Sequence, residues 1–215
     1  MTRKRTKRSG TGRGDRKRTR TIERTRSRPR ELVATPELGP FDRRRLMDLL
    51  SEFLQHERSA VELYELGLEK DLSEEQRERI EEFLEQTRRH VDILSTIISA
   101  LGGDKDLLSP EAELDREKSR VLVEADTEGP AATLNFFQSL MIAELVDHQN
   151  WAFLEKAVSR VDDEEVAAVL EGHVESIEDE EDEHFRWARK QVADLSFQWV
   201  FPTPLEPPES SREAA

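Results

Sequence analysis

Residues 170–188 read LEGHVESIEDEEDEHFRWA. Leu170, His173, Ile177, Glu181, His184 and Ala188 recur there at steps of three and four, which places them on one face of an α-helix. An apolar stripe of this kind faces a core. A lone carboxylate inside it costs several kcal/mol unless it is paired, protonated or bound to a cation. Glu181 and His184 form an E-x-x-H, so a carboxylate and an imidazole share that face.

The same pattern recurs on three other long segments. One stripe runs Leu46, Leu49, Phe53, Glu57, Ala60, Tyr64, and a second runs Ile80, Phe83, Thr87, His90, Leu94, Ile97, Leu101. A third runs Leu134, Phe137, Met141, Glu144, His148, Trp151. Each stripe is apolar except for a Glu, a His or both near its middle. Several such groups meeting at one depth of a helical core are best explained by a bound cation.

The boundaries of these segments are marked by capping chemistry. The first helix is expected from about Phe41, after Pro40, to about Lys70. Ser73-Glu74-Glu75-Gln76 is a capping box that opens the second, and Gly102-Gly103 closes it. Ser109-Pro110-Glu111 opens a short helix in the long connection 102–129, with Leu114, Val121 and Leu122 as its apolar face. The third long helix is expected from Pro130 to about Arg160. Asp162-Asp163-Glu164-Glu165 caps the fourth, which runs to about Leu195. Two hairpins with short turns, joined by one long crossover, give an all-α antiparallel four-helix bundle over residues 41–196. Residues 197–215, with Pro202, Pro204, Pro207 and Pro208, read as an extended tail whose aromatics pack across a bundle end.

Composition narrows the chemistry. The chain has 215 residues and no Cys, so disulfides, thiolate metal sites and Cys nucleophiles are excluded. A metal must sit on His and carboxylate. No apolar run approaches a membrane span and no export signal is evident, so the expectation is a cytoplasmic protein that does not enter a membrane. The net charge of −14 hides a strong asymmetry. Residues 1–30 carry 14 Lys and Arg against Asp15 and Glu23, whereas the remainder carries 19 bases against 45 acids. The basic leader, residues 1–35, has almost no apolar residue and is expected to be disordered. It reads either as an arm that binds nucleic acid without sequence preference, by neutralising phosphates, or as a solubility extension lying on the acidic body.

The two hairpins look like a degenerate repeat. Glu57 is followed seven residues later by Tyr64, and Glu144 seven later by Trp151. Where the second hairpin has Glu181-Asp182-Glu183-His184, the first has Thr87-Arg88-Arg89-His90. On these residues the stretch 41–196 resembles the ferritin-like superfamily, especially its rubrerythrin-like branch. The resemblance implies a ferritin-like bundle holding one or two iron or manganese ions. Matched by position, the implied ligands are Glu57, His90, Glu144, Glu181 and His184, with Tyr64, Thr87 and Trp151 around them. A homodimer or higher oligomer is expected.

The departure is Thr87, which stands where the family has a bridging carboxylate. Three carboxylates leave two divalent ions with uncompensated positive charge in a low-dielectric site. His148, four residues after Glu144, or Glu178, three before Glu181, could compensate as additional ligands. Alternatively the site holds one ion, or none, and the seam is only a hydrogen-bond network. His173 lies about two turns from Glu181 and reads as structural. His56, beside the seam, could stand as a partner behind the ligands, but reads more simply as half-exposed. Two functions follow: an iron or manganese oxidoreductase acting on oxygen or peroxide, or a non-catalytic helical scaffold tethered to a polyanion by its leader.

Overall fold

The computed structural model describes residues 40–125, 128–174 and 177–202. The leader and residues 203–215 of the tail lie outside the described residues. The described residues form the helical segments α1 Arg43–Gly67, α2 Glu74–Ala100, α3 Pro110–Glu124, α4 Ala132–Val158, α5 Glu164–Val174 and α6 Ile177–Val200. Among the described residues there is no strand, so the protein is all-α. None of these helices is long and apolar enough to cross a membrane.

Four of the helix starts, those of α1, α2, α3 and α5, are capped by a side chain. The Asp42 carboxylate accepts from the N–H groups of Arg44 and Arg45, satisfying donors that α1 cannot pair internally. Ser73 and Gln76 form the expected reciprocal box at α2. Gly102, just past the end of α2, takes φ 77°, a left-handed conformation that costs glycine little. Ser109 caps α3, and its hydroxyl donates to Asp48 O at 3.2 Å, which pins the crossover to α1. Asp163 caps α5 through the N–H groups of Glu165 and Val166.

The core is two apolar clusters with a polar layer between them. At one end Leu50 and Leu54 of α1 and Ile97 of α2 meet Leu154 of α4 and Leu170 of α5. At the other, Leu63, Phe83, Phe137 and Ala188 meet, from α1, α2, α4 and α6. The start of α1 therefore packs on the end of α2, and the start of α4 on the later part of α6. Both pairs run antiparallel, as the short turns require. Every helix that crosses between the clusters passes through the polar layer.

Four expectations are corrected. The last helix, α6, runs to Val200 rather than Leu195. The helical bonding continues through Phe201 N–H to Phe197 O at 2.8 Å and stops at Pro202, which has no N–H to donate. Phe197 and Trp199 therefore sit at the end of α6 and are exposed, not packed across a bundle end. On α3 the buried residues are Ala112, Asp115 and Ser119; Leu122 packs on the second cluster as expected, while Leu114 and Val121 face outward. The reason is polar: Asp115 is drawn inward by His56. On α4 the buried line passes through Leu140, Glu144, Asp147 and Trp151; Met141 and His148 are only half-buried.

The outer face of α4 is unusual. Ile142, Leu145, Val146 and Phe153 are exposed, with Gln149 among them and no charged side chain in the stripe. A helix apolar nearly all round is normally covered.

Candidate metal centre

Glu57 on α1, His90 on α2, Glu144 on α4, and Glu181 and His184 on α6 are each 1% exposed and occupy the polar layer. Their donor atoms form two triads, Glu57–His90–Glu181 and Glu144–Glu181–His184, each with its atoms within 4.8 Å of one another. Glu181 belongs to both. His90 Nδ1 lies 2.8 Å from Glu181 Oε1 and 3.6 Å from Glu57 Oε1. His184 Nδ1 lies 3.3 Å from Glu144 Oε2 and 3.7 Å from Glu181 Oε1.

The outer ring nitrogens are already engaged. His90 Nε2 lies 2.9 Å from Glu180 Oε2, and His184 Nε2 lies 2.6 Å from Gln86 Oε1. Both partners are acceptors, so each ring carries its proton on Nε2 and turns the Nδ1 lone pair into the layer. The carboxylates are held in the same half-committed way. Trp151 donates its indole N–H to Glu57 Oε1 at 2.6 Å, and the Tyr64 hydroxyl donates to Glu144 Oε1 at 2.7 Å. Within the two triads this leaves five buried atoms with no hydrogen-bond partner: Glu57 Oε2, His90 Nδ1, Glu144 Oε2, Glu181 Oε2 and His184 Nδ1. The 2.8 Å approach of His90 Nδ1 to Glu181 lacks hydrogen-bond geometry, so two electron-pair donors face each other there.

The layer gathers several carboxylates out of water and close together. Burial, and then Asp147, pushes the Glu57 carboxyl up to about 8. Burial, and then Glu57 and Glu144, carries Glu181 well above the usual carboxylate range. Tyr64 is raised by burial and by Glu144 beside it. Carboxyls in this state take up either a proton or a cation.

Glu57, His90, Glu144, Glu181 and His184 thus come together. Thr87, one turn before His90, is buried at 2% exposure. Glu178 and His148 lie outside both triads; the His148 ring stacks on Phe185 at 6.0 Å, and its buried Nδ1 has no hydrogen-bond partner among the described residues. His173 bonds Val169 O within its own helix, as a structural histidine would.

Sequence reasoning missed a second buried network. His56, expected to be half-exposed, is 4% exposed. Its Nδ1 is 3.1 Å from Asp115 Oδ2 on α3, its Nε2 3.2 Å from Ala143 O, and Asp147 Oδ2 is 3.6 Å away. Burial opposes charge on this ring, but Asp147 and the bond to Asp115 outweigh it and push His56 up to about 10. Asp147 itself is raised by burial, and its Oδ1 has no partner. Spacing alone could have flagged Asp147, three residues after Glu144, and the matched pair Gln86 and Glu180, each four before a site histidine.

Comparison with protein-family models, with curated proteins and with solved structures finds no match.

Proposed function

We propose that this chain is a ferritin-like four-helix-bundle metal protein. In this reading α1, α2, α4 and the α5–α6 pair are the four helices, with α3 in the crossover. Its polar layer binds one or two divalent ions, iron or manganese. The observation that carries this reading is the set of five unpartnered buried donors, three carboxylate oxygens and two imidazole nitrogens. Burying them unpaired is costly, and a cation is the one ligand that satisfies all of them at once. Oxygen and nitrogen donors without thiolate suit iron and manganese. Bound there, such an ion would supply redox chemistry toward oxygen or peroxide.

The chain's own residues do the rest. Glu57 and Glu144 each keep one oxygen for the layer, because Trp151 and Tyr64 hold the other. Glu181 joins the two positions. Glu180 and Gln86 fix the histidine tautomers, and the two apolar clusters keep water out.

The test is metal analysis of the purified full chain, followed by uptake of Fe(II) and Mn(II) after chelation. One to two ions per chain are expected. Protein that purifies without iron, manganese or zinc and takes none up would overturn the reading.

One observation favours a scaffold role beside it. The charge-free stripe Ile142, Leu145, Val146 and Phe153 lies on a chain in which 37% of residues are charged, and it matches best an identical stripe on a second copy. Sedimentation of the wild type against Phe153→Glu decides it: a dimer that the variant loses supports pairing, and a monomeric wild type rejects it.

A further inference from the structure

The two triads are built alike up to the ring nitrogens and then differ in charge. Behind His90 stands Glu180, a carboxylate, at 2.9 Å from Nε2. Behind His184 stands Gln86, a neutral amide, at 2.6 Å. The two occupy matching places in the repeat, each four residues before the site histidine of its own helix and each serving the histidine of the other. The substitution of amide for carboxylate is therefore a local break in an otherwise reciprocal arrangement. Glu180 is held in place by Arg89, which lies 3.2 Å from both of its oxygens.

A carboxylate that accepts the outer N–H raises the basicity of the imidazole and places negative charge behind the metal position; an amide does only the orienting. Outer partners of this kind change metal affinity by about ten- to a hundredfold. The second difference arises once an ion is bound. Glu181 is the one carboxylate common to both triads, and Thr87 supplies no second one. The charge of the first ion is then poorly screened from its neighbour.

Resting on the metal reading above, we propose that the two positions fill in a fixed order. The first ion takes Glu57, His90 and Glu181; the second takes Glu144, His184 and Glu181 with lower affinity. The choice between Glu180 and Gln86 sets the order. The chain would then hold one tightly bound ion and one exchangeable ion, not a matched pair.

The test is titration of the chelated full chain with Co(II), followed by absorption and by indole fluorescence. The chain has three Trp residues, so in a Trp187→Phe/Trp199→Phe background Trp151 is the sole indole. Trp151 bonds Glu57 and lies 5.5 Å from the His90 ring, so it reports the first position. Two binding steps are expected, with Trp151 quenched in the first. Glu180→Gln, an isosteric change at a partly exposed residue, should weaken the first step about ten- to a hundredfold and bring the two steps together. Gln86→Glu should strengthen the second step. If two ions bind in one indistinguishable step, or the first leaves Trp151 unquenched, or Glu180→Gln leaves the first step unchanged, the ordered filling is wrong while the metal reading stands. If no ion binds at all, both fall.

Discussion

Trp151 follows Glu144 by seven residues on α4, yet it donates its indole N–H to Glu57 on α1 at 2.6 Å. Tyr64 follows Glu57 by seven on α1 and donates to Glu144 on α4 at 2.7 Å. Each aromatic residue thus braces the carboxylate of the opposite hairpin. The two bonds cross-link α1 and α4 at the level of the site and leave each carboxylate one free oxygen.

Removing either donor should therefore cost stability and loosen the site together. Tyr64→Phe keeps the ring and strips Glu144 of its only hydrogen bond. A loss of about 1–3 kcal/mol is expected, the range for a buried acceptor left unpaired. Urea denaturation of the chelated protein measures it. An unchanged midpoint would mean that the bond contributes nothing.

The chelated protein should weaken as pH rises. Glu57 moves from an ordinary 4.5 to about 8 on folding, so the folded state keeps a proton that the unfolded chain releases. Stability from this group is complete below 4.5 and is lost as pH rises toward 8. His56 acts in the same direction, moving from 6.5 to about 10. Each proton so held gives a slope of at most about 1.4 kcal/mol per pH unit. Thermal unfolding between pH 5 and 9 should show a falling midpoint, flattened in Glu57→Gln. Metal uptake near neutral pH should release protons, which calorimetry in buffers of different ionisation enthalpy detects.

Thr87→Glu should raise affinity for the second ion by about tenfold or more, because it adds a shared carboxylate at the E-x-x-H spacing; even outer partners have effects of that size. Glu181→Ala should reduce loading at both positions, since Glu181 belongs to both triads. Metal content after dialysis against a defined free-ion concentration checks both. Normal loading of Glu181→Ala would remove Glu181 from the site.

Asp115→Ala should destabilise the protein by about 3–5 kcal/mol, because it leaves the buried His56 charge without the partner that α3 supplies. The readout is the denaturation midpoint. A second sign is faster amide exchange in α3, whose buried face is small and polar. A loss below about 1 kcal/mol would mean that apolar contacts alone dock α3.

Much of this molecule is legible along the chain because helices are local. The caps at Ser73, Ser109 and Asp163 rest on bonds spanning two or three residues, and α2, α3 and α5 begin where these signals stand. The stripes on α2 and α6 were equally legible, since a period of three and four registers burial directly: all seven residues from Ile80 to Leu101 are buried. Glu57, His90, Glu144, Glu181 and His184 stood out because each breaks an apolar stripe.

What sequence could not decide are the relations between helices. The buried face of α3 follows the polar residue Asp115 rather than Leu114 and Val121, because a charged partner, His56, waits on α1. The line through α4 turns to Asp147 instead of His148, since only packing chooses between adjacent positions on one helix. Nothing along the chain says that Trp151 serves Glu57, Tyr64 serves Glu144, or Glu180 stands behind His90. Those pairs are 80 to 94 residues apart. A hydrogen bond needs a partner within about 3 Å, and only the folded arrangement of the four crossing segments brings one there.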